Sequence, residues 1–112
     1  MAAIVDNPDN GTPPAKCLDR VDSWDETTCS VPREDAFPYG DPFGEAARMT
    51  DGAHRIDMTD FYCLEDVCPA MIGGVNVYRD RHHFTATFTR TLAPFLWNRI
   101  TGAVDGLPSG DR

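Results

Sequence analysis

Long apolar segments and positive charge are both scarce in this sequence. No run of residues approaches the roughly 18 consecutive apolar residues of a membrane-spanning helix. Lysine and arginine together number 10 against 18 aspartates and glutamates, which gives a formal net charge of −8. The basic residues are scattered and form no patch. Because this charge repels phosphates, the composition argues against nucleic acid or an anionic membrane surface as a partner.

The N-terminal residues MAAIVDNPDN also lack the basic and long apolar segments of an export signal. The cysteines lead to a different conclusion about the compartment. Cys17, Cys29, Cys63 and Cys68 fall as two locally spaced pairs in polar, turn-rich sequence, which indicates disulfides and an oxidising compartment. The two observations agree if an upstream segment that carries the targeting has been cut away or belongs to a larger protein, and this is what we expect.

The first 40 residues predict one short strand and a long loop. The chain of 112 residues suits a single domain with a modest core. Residues 2–5 form a short apolar run that predicts a strand, stopped by Asp6, Asn7 and Pro8. These three residues should lie near the ligand crevice of an α/β fold. Residues 9–40 are dense in proline, aspartate, serine and threonine and would be loose unless a disulfide joins two of their parts.

Helix and strand signals follow this loop. Asp41 can cap free backbone N–H groups, Pro42 suits the first helical position and Gly52 suits a left-handed stop, which together predict a short helix. Alternating apolar and polar residues predict two strands, over residues 53–58 and 74–80.

The last element is predicted to be a helix with one apolar stripe, because apolar residues recur there at a spacing of three to four. They are Phe84, Phe88, Leu92, Phe95, Leu96 and Ile100. Pro94 should kink or split this helix, and residues 101–112 should form a flexible tail. The order of elements predicts an α/β fold with a short parallel sheet of three strands. Such a thin sheet suggests that an N-terminal part of the domain is missing.

The turn between the last predicted strand and this helix carries Asp80 and His83. Ligand crevices of open α/β folds lie outside the carboxyl ends of the strands, where this turn falls. A spacing of three residues lets the carboxylate of Asp80 reach a ring nitrogen of His83 and fix the imidazole tautomer. We expect His82 to point away from this pair. The alternative is that Asp80 and His83 form only a capping or solvated turn.

Several stretches together resemble a known family: IVDNP followed by two cysteines, and then HRIDMTDFYCLEDVCPAMIGGVNVYRDRHHFTATFTRTLAPFL. The resemblance is to the C-terminal part of the SGNH domain fused to membrane-bound acyltransferases of the acyltransferase-3 type, which O-acylate cell-surface glycans and related acceptors. It spans residues 4–96 and is most specific over residues 56–85. It implies a partial three-layer SGNH-hydrolase (flavodoxin-like) fold over residues 1–100, with flanking helices and the N-terminal part missing.

The resemblance also implies roles for two residues. Asp80 would be the orienting acid and His83 the general base of a Ser–His–Asp triad. Phe84 stands where the family usually has leucine, and the nucleophile's Gly–Asp–Ser block does not occur in the sequence. The available serines, Ser23, Ser30 and Ser109, lie in loop or tail sequence without a strand-to-helix elbow.

The four cysteines allow three pairings. The short loops and the resemblance favour Cys17 with Cys29 and Cys63 with Cys68. Cys63, Cys68, Asp80, His82 and His83 are also potential metal ligands, but the Cys–x4–Cys spacing is not the usual zinc pattern, and a disulfide is the better account.

We therefore expect a C-terminal fragment of an SGNH-type acyl esterase or O-acyltransferase domain that lacks its serine and is inactive alone. The resemblance implies as partners an upstream SGNH half and a transmembrane acyltransferase domain, with an acyl donor and a glycan-like acceptor. It also implies an extracytoplasmic location, and we expect no cofactor. The alternative is a non-catalytic, disulfide-stapled accessory or binding domain. Trp24 is expected to be a packing anchor, or else a platform for a sugar ring.

Overall fold

The computed structural model describes residues 1–103, which form nine short elements around one core. In chain order these are β1 (Ala2–Ile4), α1 (Pro14–Leu18), β2 (Val31–Pro32), α2 (Pro42–Arg48), β3 (His54–Ile56), β4 (Val67–Cys68), β5 (Met71–Ile72), β6 (Val75–Asn76) and α3 (Ala86–Ala103). Single turns of 3-10 helix lie at Arg33–Asp35 and Thr59–Phe61. No described helix is long and apolar enough to cross a membrane.

The parallel sheet consists of two strands. β1 pairs with β3 in parallel, with Ala2 opposite His54 and Ile4 opposite Ile56. The helix α2 packs on both strands. The mixed α/β character with a small parallel sheet is thus confirmed.

The prediction that the third strand joins this sheet is wrong. β6 pairs antiparallel with β5, with Ile72 opposite Val75. The two residues between them, Gly73 and Gly74, both have positive φ, 59° and 78°. A two-residue turn with two positive φ values closes a tight hairpin, so the strand at Val75 folds back on its own neighbour and does not extend the parallel pair.

The long loop of residues 9–40 is crosslinked by a disulfide, as predicted, but it contains more secondary structure than predicted. Disulfides join Cys17 to Cys29 and Cys63 to Cys68. The loop contains the short helix α1, and its end forms β2, which pairs with β4 so that Val31 lies opposite Cys68. The pairing of β2 with β4 thereby attaches the long loop to the Cys63–Cys68 disulfide in the core.

The capping signals for α2 are confirmed. The side chain of Asp41 accepts a hydrogen bond from the Gly44 N–H at 3.1 Å, and Pro42 is the first helical residue. The same carboxylate pairs with the guanidinium of Arg55 on β3 at 2.6 Å. The helix ends at Arg48, and Gly52 has a φ of 79° in the turn that follows. One side chain therefore caps the helix and ties it to the sheet.

The helix α3 differs from its prediction at both ends, and it is not split at its proline. Phe84 precedes it in a bridge with Tyr78, and Thr85 caps it by accepting a hydrogen bond from the Phe88 N–H at 3.2 Å. Pro94 lies inside a helix that is not split. Residues 101–103, predicted as tail, belong to α3, and the rest of that predicted tail lies outside the described residues.

The apolar stripe of α3 is confirmed in part. Phe88 is fully inside the core, and Leu92, Leu96 and Ile100 pack against it, whereas Phe95 is about half exposed. The buried residues that receive this stripe come from the middle of the chain. They include Ile56, Met58, Tyr62, Val77 and Tyr78.

Candidate active site

The turn that carries Asp80 and His83 is organised around one carboxylate. Oδ1 of Asp80 accepts hydrogen bonds from the backbone N–H groups of His82, at 3.0 Å, and His83, at 2.9 Å. Oδ2 lies 2.9 Å from Nδ1 of His83. Because the backbone contacts fix the carboxylate, its second oxygen is presented to the imidazole in one orientation. The predicted contact between the two side chains therefore exists.

The charge on Asp80 determines which tautomer of His83 fits. The two backbone N–H groups, followed by the His83 side chain, hold the pKa of Asp80 well below its usual range. An ionised carboxylate can only accept hydrogen bonds, so Nδ1 of His83 must carry the hydrogen. Nε2 then has a free lone pair, and half of the side-chain surface of His83 is exposed. This arrangement suits an imidazole that accepts a proton from a neighbouring group.

Backbone contacts close the turn from both sides. The Arg79 N–H donates to the His83 carbonyl at 2.7 Å, and the Thr85 N–H donates to the Val77 carbonyl at 2.9 Å. The Thr85 hydroxyl also donates to the Asn76 carbonyl at 2.6 Å. These bonds continue a short antiparallel ladder beyond β6 and hold the backbone on both sides of the turn.

The segment after β1 contacts the same turn, and one of the three residues predicted to lie near the crevice, Asn7, takes part in these contacts. The Asn7 side chain donates to the His82 carbonyl at 3.4 Å. The Asn10 N–H donates to the Arg81 carbonyl at 2.8 Å, and Asp9 pairs with the Arg81 side chain at 3.2 Å. The carboxyl end of β1 and the turn after β6 thus meet at one edge of the molecule.

The expectation that His82 points away is wrong. The ring centroids of His82 and His83 are 4.1 Å apart. Nδ1 of His82 lies 3.9 Å from Oδ1 of Asp80, which is too long for a hydrogen bond. Asp80 therefore bonds to His83, while His82 packs beside it. The spacing of three residues identified the bonded pair correctly but gave no information on how adjacent rings would stack.

A mostly apolar cavity of about 350 Å³ adjoins His83. Its wall includes Ile4, Met58, Phe84, Leu92 and Leu96. Polar groups are few, as in many ligand pockets; they are Asn7, Tyr62, Arg79 and Thr89. Apart from Asn7, which was predicted to lie near the crevice, these polar residues could not be identified from the sequence, because they come from separate segments whose meeting depends on the tertiary fold.

Tyr62 is the most buried polar residue of this wall. Its ring packs on Phe84 with centroids 4.9 Å apart, and its exposure is 2%. Burial raises the pKa of Tyr62 to about 12. The hydroxyl is therefore uncharged near neutral pH and acts as a neutral hydrogen-bonding group.

No serine or cysteine lies in the wall that the described residues give this cavity. Thr89 contributes a hydroxyl, but it lies within α3 and not on the strand-to-helix elbow of a nucleophile. Ser30 donates its hydroxyl to the Thr27 carbonyl, Ser23 is exposed, and Ser109 lies outside the described residues. Within residues 1–103, Asp80 and His83 thus have no serine beside them in the wall of this cavity.

Two further features of the sequence are settled by the structure. The cysteines are all in disulfides, so the thiolate ligands of a metal site are absent. Trp24 is 44% exposed and adjoins a second cavity, of about 260 Å³, whose wall also contains Phe61 and Tyr62. Trp24 is therefore not a buried packing anchor.

The small parallel sheet, the flanking helices and the hydrogen-bonded Asp80–His83 pair in the turn after β6 define an α/β domain with an Asp–His contact of the kind found in Ser–His–Asp triads. The model of the SGNH domain fused to AT3 domains matches residues 3–98. The chain belongs to this SGNH domain family. No curated protein and no solved structure matches the chain.

Proposed function

We propose that this chain is the C-terminal part of an SGNH-type acyl esterase or O-acyltransferase domain. In this proposal Asp80 and His83 complete a triad whose serine belongs to an upstream segment of the same protein. The contact of 2.9 Å between Oδ2 of Asp80 and Nδ1 of His83 carries the proposal, since it leaves Nε2 free beside a cavity.

The chemistry is a two-step acyl transfer. The upstream serine hydroxyl attacks the carbonyl of an acyl ester, while Nε2 of His83 accepts its proton and Asp80 stabilises the resulting imidazolium. The leaving alcohol takes that proton, and an acyl-serine remains. A sugar hydroxyl or water then attacks the acyl-serine with His83 again as the base, which restores the serine.

Two exposed features favour an upstream segment that completes the domain. Among the described residues, β1 pairs only with β3, so its other edge has free backbone groups. Ile4 on that strand is 47% exposed and lines the cavity together with Leu92 and Leu96 of α3. A strand added beside β1 would bury this surface and extend the parallel sheet, as a partial three-layer SGNH fold requires.

The family suggests the setting of this reaction. Its SGNH domains are fused to AT3 domains, so we propose a membrane-bound acyltransferase domain in the parent protein as the source of the acyl group. A glycan-like hydroxyl on the extracytoplasmic side would be the acceptor. The two disulfides support an oxidising compartment of this kind.

A second candidate function is a non-catalytic accessory or binding domain, stapled by its disulfides. The observation that favours it is the lack of serine and cysteine in the described wall of the His83 cavity. In that case the Asp80 turn would only be structural, and no residue upstream would react as a triad serine.

A fluorophosphonate probe, which reacts with activated serines, distinguishes these two functions. We expect it to label the full-length protein encoded by the reading frame that contains this chain, at a serine upstream of residue 1. His83→Ala should abolish the labelling, and His54→Ala, at the far end of β3 from the turn, should leave it unchanged. The chain of 112 residues alone should stay unlabelled.

Three results would overturn the proposal: an upstream region without a reactive serine, labelling that persists in the His83→Ala variant, or a labelled residue within this chain. If the chain alone hydrolysed a chromogenic acetyl ester and lost this activity on His83→Ala, its triad would be complete. This result would likewise contradict the proposal.

A further inference from the structure

We propose that Asp80, His82 and His83 bind a divalent transition-metal ion of the zinc type, and that the bound ion prevents His83 from acting as a base. The binding depends on this turn alone. Its inhibitory consequence rests on the function proposed above.

The donor atoms are grouped closely enough for one ion. Asp80, His82 and His83 each offer a ligand atom, and the three atoms lie within 4.8 Å of one another. Nδ1 of His83 is 2.9 Å from Oδ2 of Asp80, and Nδ1 of His82 is 3.9 Å from Oδ1. Tetrahedral zinc at about 2.0–2.2 Å from its ligands holds them roughly 3.3 Å apart. Small side-chain rotations would therefore bring all three onto one ion.

Two imidazoles and one carboxylate are a ligand set that suits zinc and related ions, whereas Mg²⁺ and Ca²⁺ prefer oxygen ligands. Three protein ligands leave the fourth position of a tetrahedral ion to water. The three side chains are each about half exposed, so an ion reaches them without any opening of the fold.

The backbone around the turn already holds the ligands in place. Asp80 is fixed by the N–H groups of His82 and His83, and the carbonyl of His82 accepts from Asn7. Such contacts around a site orient its ligands and raise metal affinity. Arg81, which lies inside the turn, pairs with Asp9 at 3.2 Å, so its charge is partly neutralised there.

Metal binding would reverse the tautomer of His83. In the free protein Nδ1 carries the hydrogen that Asp80 accepts. An ion bound at Nδ1 takes that position, Asp80 changes from hydrogen-bond acceptor to ligand, and the imidazole hydrogen moves through solvent to Nε2. The ring stays neutral, so no proton is lost or gained overall. Nε2 then has no lone pair for a serine hydroxyl, and the base is disabled.

Calorimetric titration of the untagged chain with Zn²⁺ tests the binding. We expect one saturable site per chain, and no comparable binding of Mg²⁺. His82→Ala and His82→Gln should each weaken Zn²⁺ binding at least about tenfold, since even loss of a supporting contact around a metal site costs that much. The matched control is His54→Ala, which removes the third histidine of the chain and should bind Zn²⁺ as the unaltered protein does.

Nitrogen-15 NMR of the histidine rings provides a second readout that does not depend on catalysis. Zn²⁺ should move the hydrogen of His83 from Nδ1 to Nε2. Absence of a saturable site, an affinity in both His82 variants equal to that of the unaltered chain, loss of binding in His54→Ala, or an unchanged His83 tautomer at saturation would each overturn the proposal. These outcomes are measured on this chain with Zn²⁺, whereas serine labelling needs the upstream segment and no metal. Failure of the metal proposal can therefore be distinguished from failure of the proposed function.

Discussion

Replacement of His83 by alanine in the full-length protein is expected to lower kcat for acyl transfer by about 10⁴-fold or more, because removal of a triad base has an effect of this size. The serine hydroxyl then has no group to accept its proton at the moment of attack. KM should change little, since His83 is half exposed and contributes one polar edge to a largely apolar cavity. Steady-state kinetics on a chromogenic acetyl ester measures both constants.

Companion variants separate the base from its neighbours. Asp80→Ala should also lower kcat strongly, by about 10²–10⁴-fold, because the imidazole loses its orientation and the stabilisation of its charged form. His54→Ala serves as the control and should keep full activity. A His83→Ala enzyme with near-normal kcat, or a larger loss in His82→Ala than in His83→Ala, would show that His83 is not the base.

Reduction of the disulfides should unfold the chain. In the loop-entropy account the Cys17–Cys29 bridge, with a sequence separation of 12, contributes about 3 kcal/mol to the free energy of unfolding, and the Cys63–Cys68 bridge, with a separation of 5, about 2 kcal/mol. Small domains have only about 5–15 kcal/mol in total. The strands here are two or three residues long, so little hydrogen-bonded sheet is left to compensate.

Thermal unfolding followed by circular dichroism, with and without reductant, measures this effect. Two paired variants, Cys17→Ala with Cys29→Ala and Cys63→Ala with Cys68→Ala, assign it to each bridge. The second pair should also disturb the core, because Cys63 and Cys68 are both buried there. A cooperative melt that is unchanged by reductant would contradict the role given to the bridges.

The features predicted correctly from sequence are local ones. The cap of α2 depends on Asp41 and Pro42, which are adjacent, and the contact between Asp80 and His83 spans one turn. The disulfides each join cysteines that are close in sequence. In these cases the chemistry of a few neighbouring residues is sufficient, and tertiary packing does not override it.

The features that were missed depend on distant segments or on very short elements. β5 has only two residues, Met71 and Ile72, too few to show an alternating pattern, so its hairpin with β6 could not be recognised. The cavity beside His83 joins Ile4, Tyr62 and Leu96, which no spacing rule brings together. The stacking of His82 on His83 likewise follows from the path of the turn.

Nitrogen-15 NMR of the imidazole nitrogens in the metal-free chain measures the hydrogen position on which the account depends. For the neutral ring of His83 we predict a hydrogen on Nδ1 and none on Nε2, because Asp80 accepts at 2.9 Å. Asp80→Ala should shift the ring toward the other tautomer. A hydrogen found on Nε2 of His83 in the unaltered chain, with no response to Asp80→Ala, would contradict the assignment of His83 as an oriented base.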